Sequence, residues 1–561
     1  MTQRSGKSKH VLCTGSVAML ASVAFNAGAL AAPMNCERLT SSISLPNTTI
    51  SFAQSYAPGQ TVSDNIIAPV ALCRVASTVK PSSDSDINFE VWVPTDGSWN
   101  GKFEQLGNGG FAGSIWVAFI ANAVSRGYAA AATDDGTSGP PRGAPTFLGH
   151  PDLQKDYGFR AIKVTTDTSK VIIEELMGKK PRYSYFNGCS CGGREALMEA
   201  QRYPNDFDGI IVGSPANDLV GLLGASFLWD MQALLTGPRT DGVPDAYIPA
   251  SKLGLLSSAA LVQCAGKDGG VSTDAFLNDP RKCHFDPAVA ACKSGQDPNT
   301  CLTKAQIEAA KKIYRGPHNS RGQLIFPGYE PGSESNPANW RSWLVGTSSS
   351  SPGDQNSLTM GFWCDQVFGK ADCPYLSIDI GKEFEKASKT IAPIVNSTNS
   401  DLRSFEHHGG KMIQYAGWAD TAIAPENGVN YYEKVAMGMR DVHDFYRVFM
   451  APGMAHCYGG AGPNSFGNGA SNGPVIDAEH DLLKALELWV EQGVAPEKII
   501  ATKYLNDDPL QGVAFQRPLC PYPKIAKYDG QGNTTDPASF RCVADKDRRS
   551  PGNHEPQAAY R

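Results

Sequence analysis

Chemistry concentrates in one short stretch, Gly188-Cys189-Ser190-Cys191-Gly192, which fits the pattern G-x-S-x-G. It stands between strand-like text, YSYFNG (183–188), and helix-like text, EALMEAQRY (195–203). A strand that turns sharply into a helix at such a sequence lifts the serine hydroxyl clear of the backbone at the helix N-terminus. Small flanking residues are needed because side chains there would clash. Ser190 is therefore read as a nucleophile. A serine hydroxyl needs a base to take its proton and an acid to orient that base. Asp420 follows the strand-like KMIQYAG (411–417), and His456 follows FYRVFMAPG (445–453), giving the chain order Ser, Asp, His. Of the ten histidines, His10 lies in the N-terminal apolar segment and His150 precedes the serine. His284 and His318 fall in a long irregular stretch; His407, His408 and His443 precede strands; His480 falls on a helix and His554 in the tail. His456 is the best placed to act as the base.

Two cysteines flank this pair directly: Cys189 precedes Ser190 and Cys457 follows His456. A disulfide holds its Cα atoms about 4.4–6.8 Å apart, so a bond between these two would clamp nucleophile to base. The rival reading is a metal or redox site made of Cys189, Cys191, His456 and Cys457. It lacks a second pair at metal-ligand spacing, and an oxidising compartment disfavours it.

These residues must be carried by strands and helices. INFEVWVP (87–94) reads as an alternating strand, KFEQLG (102–107) as a second one running into the turn Gly107-Asn108-Gly109-Gly110, and GYAAAA (127–132) as a third followed by Thr133-Asp134-Asp135-Gly136. Residues 159–177 carry apolar side chains at helical spacing, and DGIIVGSPA (208–216) gives another strand after the serine turn. Strand, tight turn, helix, strand is the unit of a parallel α/β sheet. From about Asn217 to Arg403 the rhythm is lost, and the stretch reads as one large insertion with scattered helical patterns such as 304–314. The sheet resumes at 411–417 and 445–453, with EKVAMGM between them, an amphipathic helix at 477–492 and a loop-rich tail from Asn506. The fold class is α/β, an α/β-hydrolase fold with a large inserted domain. Its division is 32–216 and 404–561 for the two parts of the core and 217–403 for the insertion. The turn after Ser190 makes the backbone N–H of Cys191 one oxyanion donor, and the Gly109-Gly110 turn supplies the other.

Composition bounds the rest. The chain has 561 residues, 41% hydrophobic and 19% charged, enough for a large core and too few charges for a disordered chain. Arg4, Lys7, Lys9 and His10 precede an apolar run ending in Ala29-Leu30-Ala31, which reads as a secretory signal peptide over 1–31. No later run approaches a membrane-spanning length. Removing the signal leaves 47 Lys and Arg against 56 Asp and Glu, a net charge of −9. Such a mildly acidic surface argues against nucleic acid or an anionic membrane as a partner. Thirteen of the 14 Cys follow the signal, which in an exported, secreted or periplasmic protein argues for disulfides and leaves at least one Cys unpaired. There is no internal repeat and no dinucleotide- or phosphate-binding loop.

With the motifs assembled, the chain resembles the tannase and feruloyl esterase family, which includes mono(2-hydroxyethyl) terephthalate hydrolases. The resemblance covers nearly all of the mature chain. It rests on WNGKFEQLGNGGFAG (99–113), FNGCSCGG (186–193), YAGWADTAIAP (415–425) and APGMAHCYGGAGPN (451–464). It implies a triad of Ser190, Asp420 and His456, a linking disulfide Cys189–Cys457, and a lid formed by the insertion. It also implies disulfides Cys36–Cys73, Cys264–Cys283, Cys292–Cys301 and Cys520–Cys542. Cys364 and Cys373 could form one more, leaving Cys191 as a buried free thiol. A calcium ion in the lid is implied too, held by the side chains of Asp268 and Asp274 and the carbonyls of Gly270 and Phe276. The D-P-R-x-C-x-F-D-P part of that loop is intact at 279–287, but Cys264-Ala265 replaces Cys-Asp and two extra residues separate Asp268 from Asp274.

The resemblance implies a small aromatic ester as substrate, with hydroxycinnamoyl or galloyl esters as the leading class. A terephthalate monoester is the alternative. A cationic clamp for its free carboxylate is expected in the lid, yet no basic residue lies between Arg341 and Lys370. Trp340, Trp343, Phe362, Trp363 and Phe368 could stack on a phenolic ring or simply build the lid core. A non-catalytic secreted binder of phenolics or carbohydrate would be expected to lose a member of the triad, and none is lost.

Overall fold

The computed structural model describes Met1 and residues 34–545 except 64, 140–146 and 149. Apart from Met1, the signal segment assigned to 1–31 lies outside the described residues, as does the tail beyond 545.

Nine strands form one sheet: β1 (Thr48–Tyr56), β2 (Leu72–Val79), β3 (Ile87–Pro94), β4 (Lys102–Leu106), β5 (Ala129–Thr133), β6 (Tyr183–Cys189), β7 (Gly209–Gly213), β8 (Lys411–Gly417) and β9 (Tyr446–Ala451). Their order is β1-β2-β3-β5-β4-β6-β7-β8-β9. The first three run antiparallel to their neighbours, and from β5 onward every pairing is parallel. β3 alternates in residue type but is buried on both faces, with seven of its eight residues buried. The reason is the layer on each face. Phe89 and Val91 pack with Phe103, Phe186 and residues of α2 (Ala161–Met177), α3 (Cys191–Arg202) and α4 (Pro425–Gly438). Trp92 packs on the other face with α1 (Val117–Ser125) and α5 (Leu482–Gln492). The last of these begins later than its apolar pattern suggests, because the Asp481 side chain accepts from Lys484 N–H and starts the helix there.

Between β7 and β8 the chain adds no strand to the sheet. It forms helices, among them Phe227–Leu235, Leu253–Cys264, Lys304–Arg315, Asp354–Met360 and Ile380–Thr390. Their apolar faces share a core around Trp340, Phe362 and Trp363, and this core also takes in Phe111, Tyr157 and Ala422–Ala424 of the sheet domain. The tail is more ordered than a loop-rich reading allows. Ile499–Tyr504 pairs with Val513–Leu519, and Lys524–Tyr528 with Phe540–Ala544, each antiparallel. Alternation is weak in these ribbons: the first buries consecutive residues at one end of each strand, and the second buries a single residue in each strand.

Six disulfides form: Cys36–Cys73, Cys189–Cys457, Cys264–Cys283, Cys292–Cys301, Cys364–Cys373 and Cys520–Cys542. Cys191 is free and buried. No described helix is long and apolar enough to cross a membrane.

Candidate active site

The serine turn is enforced by steric exclusion. Ser190 has φ +67° and ψ −122°, a strained conformation for a side-chain-bearing residue, at the junction of β6 and α3. A Cβ on Gly188 would meet the Gly192 carbonyl oxygen at 2.4 Å, and one on Gly193 would meet the Gly213 carbonyl oxygen at 2.3 Å, so strand and helix can approach only through glycine. Ser190 N–H donates to Gly213 O at 3.0 Å, which ties the turn to β7.

Asp420 and His456 follow the C-terminal ends of β8 and β9. Asp420 is buried; its Oδ1 accepts N–H bonds from Ala422 and Ile423, both at 2.9 Å, and its Oδ2 lies 2.8 Å from His456 Nδ1. That contact makes Nδ1 the protonated nitrogen and leaves Nε2 as the basic one. The ring of Trp343 packs edge-on against His456, 5.3 Å between centroids. The Cys189–Cys457 disulfide, Cα atoms 6.0 Å apart, joins the serine strand to the histidine loop. The rival metal or redox reading therefore loses two of its thiolates. Burial pushes the Cys191 thiol up from its ordinary value, and its sulfur lies 2.8 Å from the Tyr157 hydroxyl, so it is a neutral packed thiol.

Ser190, His456 and the Gly107–Gly110 turn line one cavity of about 410 Å³. The Asn108 N–H is spent on Glu195 Oε2 (3.1 Å) and the Gly192 N–H on Asn108 O (2.7 Å). The N–H groups of Gly109, Gly110 and Cys191 remain at the cavity wall. Its other walls are mostly apolar: Trp116 just before α1 and Phe119 within it, Leu219, Leu222, Leu223 and Phe227 from the start of the insertion, and Trp343, Leu358, Ala422 and Ile423. Of the five insertion aromatics singled out by type, Trp343 alone faces this cavity. Trp340, Phe362 and Trp363 are fully buried, and Phe368 packs on Trp363. Trp116 and the Leu219–Phe227 segment carried no signal in the sequence beyond being apolar. No Asp, Glu, Lys or Arg is among the described residues lining the cavity.

The two carboxylates expected to hold calcium already have protein partners in this structure. Asp268 Oδ1 accepts from Gly270 N–H, and its Oδ2 from Asn278 and Asp279 N–H. Asp274 is paired at 3.1 Å with Arg517, whose guanidinium lies over the rings of Phe515 and Phe540. Phe276 stacks on Phe515 and packs against Gly453 in the histidine loop. No group of three or more His, Cys, Asp or Glu able to hold a metal occurs among the described residues. Calcium takes six to eight oxygens, most from unengaged carboxylates and carbonyls.

A family model for tannase and feruloyl esterase matches residues 73–543. An uncharacterized esterase of Xanthomonas campestris is 39% identical over 533 residues, covering 89% of this chain and 90% of that protein. A probable feruloyl esterase B-2 of Aspergillus terreus is 30% identical over 557 residues, 95% of this chain and 98% of that one. Among solved structures, feruloyl esterase B from Aspergillus oryzae superposes with a TM-score of 0.81 at 27% identity, covering 91% of this chain and 99% of that one. Tannin acyl hydrolase from Aspergillus niger, at 21% identity over 89% and 92% of the two chains, shares the fold with a TM-score of 0.68. The chain belongs to the tannase and feruloyl esterase family and is a carboxylic ester hydrolase.

Proposed function

We propose that the protein is an exported serine esterase that cleaves esters of hydroxycinnamic or gallic acids through an acyl-enzyme. The observation that carries this reading is the convergence of Ser190 and the Asp420-oriented His456 on a largely apolar cavity that no Asp, Glu, Lys or Arg lines among the described residues. His456 Nε2 takes the proton of Ser190 as its oxygen attacks the ester carbonyl, and Asp420 stabilises the imidazolium that forms. The oxyanion is met by the N–H of Cys191 and by one of the Gly109-Gly110 pair, all fixed in advance of the reaction. His456 then protonates the departing alcohol, and water releases the acid by the reverse sequence. Residues 217–403 act as the lid, contributing Leu219 to Phe227 and Trp343 as a face for a planar ring. Export is supported by the signal-like N-terminus and by six disulfides.

The uncharged lining also separates the leading substrate class from a terephthalate monoester. The free carboxylate of that monoester would be desolvated without a paired cation from any described residue. The test is an initial-rate panel on methyl ferulate, chlorogenate, methyl gallate and mono(2-hydroxyethyl) terephthalate, with Ser190→Ala as the blank. Preference for a cinnamate or gallate ester is expected. Preference for the terephthalate monoester, or turnover that survives Ser190→Ala, overturns the reading.

A further inference from the structure

Beneath the Gly107–Gly110 turn lie two acids that the ester chemistry leaves unused. Asp135, fully buried at φ +57°, follows β5, and Glu195, also fully buried, stands on α3 five residues after Ser190. Glu195 Oε2 holds the Asn108 N–H. A Cβ on Gly107 would lie 3.0 Å from that same oxygen, so the turn rests directly on the Glu195 carboxyl. Asn108 is fixed twice more, by Gly192 N–H to its carbonyl and by its own side chain to Thr133 O. With its N–H drawn inward, the next two N–H groups of the turn are left for the cavity.

The remaining oxygens are short of donors. Glu195 Oε1 and both Asp135 oxygens are buried without a hydrogen-bond donor among the described residues, and the two carboxyls lie in hydrogen-bond contact with each other. The nearby cation is Arg194, whose Nη2 is 3.8 Å from Glu195 Oε1. Its N–H groups go to the carbonyls of Gly158, Tyr157 and Val395, and its plane lies over the Tyr157 ring. The other ionisable groups facing the pair, the Cys191 thiol and the Tyr157 hydroxyl, are held neutral by burial. Two carboxylates in contact in a fully buried site cannot both stay charged against one guanidinium. Burial and the adjacent Glu195 accordingly hold the Asp135 carboxyl well above the usual range.

We propose that Asp135 and Glu195 share one proton and serve together as positioning residues for the Gly107–Gly110 turn, holding the Gly109 and Gly110 N–H groups on the oxyanion. The shared proton supplies the missing donor between the two carboxyls and leaves one negative charge opposite Arg194. The proposal rests on the reading of that turn as the oxyanion loop given under Proposed function. A side chain that acts through an oxyanion donor changes the transition state more than the bound ester.

The test compares Asp135→Ala, Asp135→Asn, Glu195→Ala and Ser190→Ala on an activated aryl ester, with infrared difference spectra of wild type against Asp135→Asn at neutral pH. Asp135→Ala and Glu195→Ala should lower kcat about 10–100-fold with KM within about threefold. Asp135→Asn, which places an N–H where the proton stood, should recover most of the kcat lost in Asp135→Ala. The difference spectrum should show a protonated-carboxyl band in the wild type that the Asn variant lacks. The proposal is overturned if that band is absent, if Asp135→Asn is as impaired as Asp135→Ala, or if only thermal stability falls while kcat holds. Should an Ala variant fail to fold, the band and the kcat of the isosteric Asn variant decide alone. Turnover surviving Ser190→Ala would overturn the oxyanion reading itself, whereas loss of the band overturns only the shared proton.

Discussion

The disulfide beside the catalytic pair invites a quantitative test, because its two effects separate. It closes 268 residues of chain, and the chain-entropy relation for a loop of that length gives about 5–6 kcal/mol at 25 °C from the unfolded state alone. Spread over the unfolding entropy of a chain this long, that loss lowers Tm by about 5 °C. The local effect differs in kind. Cys457 sits at φ +63° in a tight turn where Tyr458 N–H donates to His456 O and Ala455 N–H to Gly459 O. Removing the bond frees the β6 end from this turn but leaves His456 its 2.8 Å contact with Asp420 and the edge of Trp343. The imidazole is therefore loosened and not lost. A misplacement of about 1 Å costs on the order of 100-fold, so kcat in Cys189→Ala/Cys457→Ala should fall about 10–100-fold, far short of the roughly 10⁶-fold loss of a missing triad member. The double variant is required because a single one leaves a free thiol next to Ser190. Initial rates well below the lowered Tm, with KM measured alongside, give the answer. If kcat stays within about twofold of wild type while Tm drops as calculated, the bond is a stabilising cross-link and the positioning argument is wrong.

Two further outcomes follow from buried charge. Glu104 on β4 is buried beside Arg126 and Asn187, and desolvation pushes its carboxyl up to about 7. The folded protein then binds a proton that the unfolded chain releases above its ordinary value, so this contribution is full below about pH 4.5 and is lost as pH rises through about 7, by roughly 3 kcal/mol at most. Tm of the wild type should fall more between about pH 5 and 8 than that of Glu104→Gln, and parallel slopes would refute the assignment. In the loop closed by Cys264–Cys283, the Arg517 guanidinium supplies the positive charge opposite Asp274. A chelator should leave Tm in place, while Arg517→Met should cost roughly 2–3 kcal/mol by stranding a largely buried carboxylate. A chelator-induced drop in Tm would show that a metal holds this loop after all.

What could be read from the chain and what could not divides along a physical line. Gly188, Gly192, Ser190 and the two flanking cysteines were legible because covalent and steric demands fix residue type at short spacing. Asp420 and His456 were legible because each follows a strand with a strong apolar signature. Arg517 was not, since it meets Asp274 from 243 residues away and nothing local marks either as half of a pair. The commitment of Asn108 N–H to Glu195, 87 residues apart, was hidden for the same reason.

The substrate-facing wall shows the harder limit. Trp340 and Trp343 are three residues apart in one helical stretch, yet the first is fully buried in the insertion core and the second lies against His456. A regular α-helix would place residues three apart on nearly the same face. Here Pro337–Val345 winds in π turns and breaks at Asn339, where φ is −104° and ψ −119°. A helical period of 3.6 residues cannot assign faces within such π turns, which recur at Val220–Ser226, the segment that brings Leu222 and Leu223 to the cavity. The proposed catalytic residues are written in residue type, but the shape of the cavity wall beside them is written in irregular backbone. Substitutions at Leu222, Leu223 or Trp343 should therefore redistribute rates among aromatic esters, while the hydrolytic chemistry stays with Ser190, Asp420 and His456.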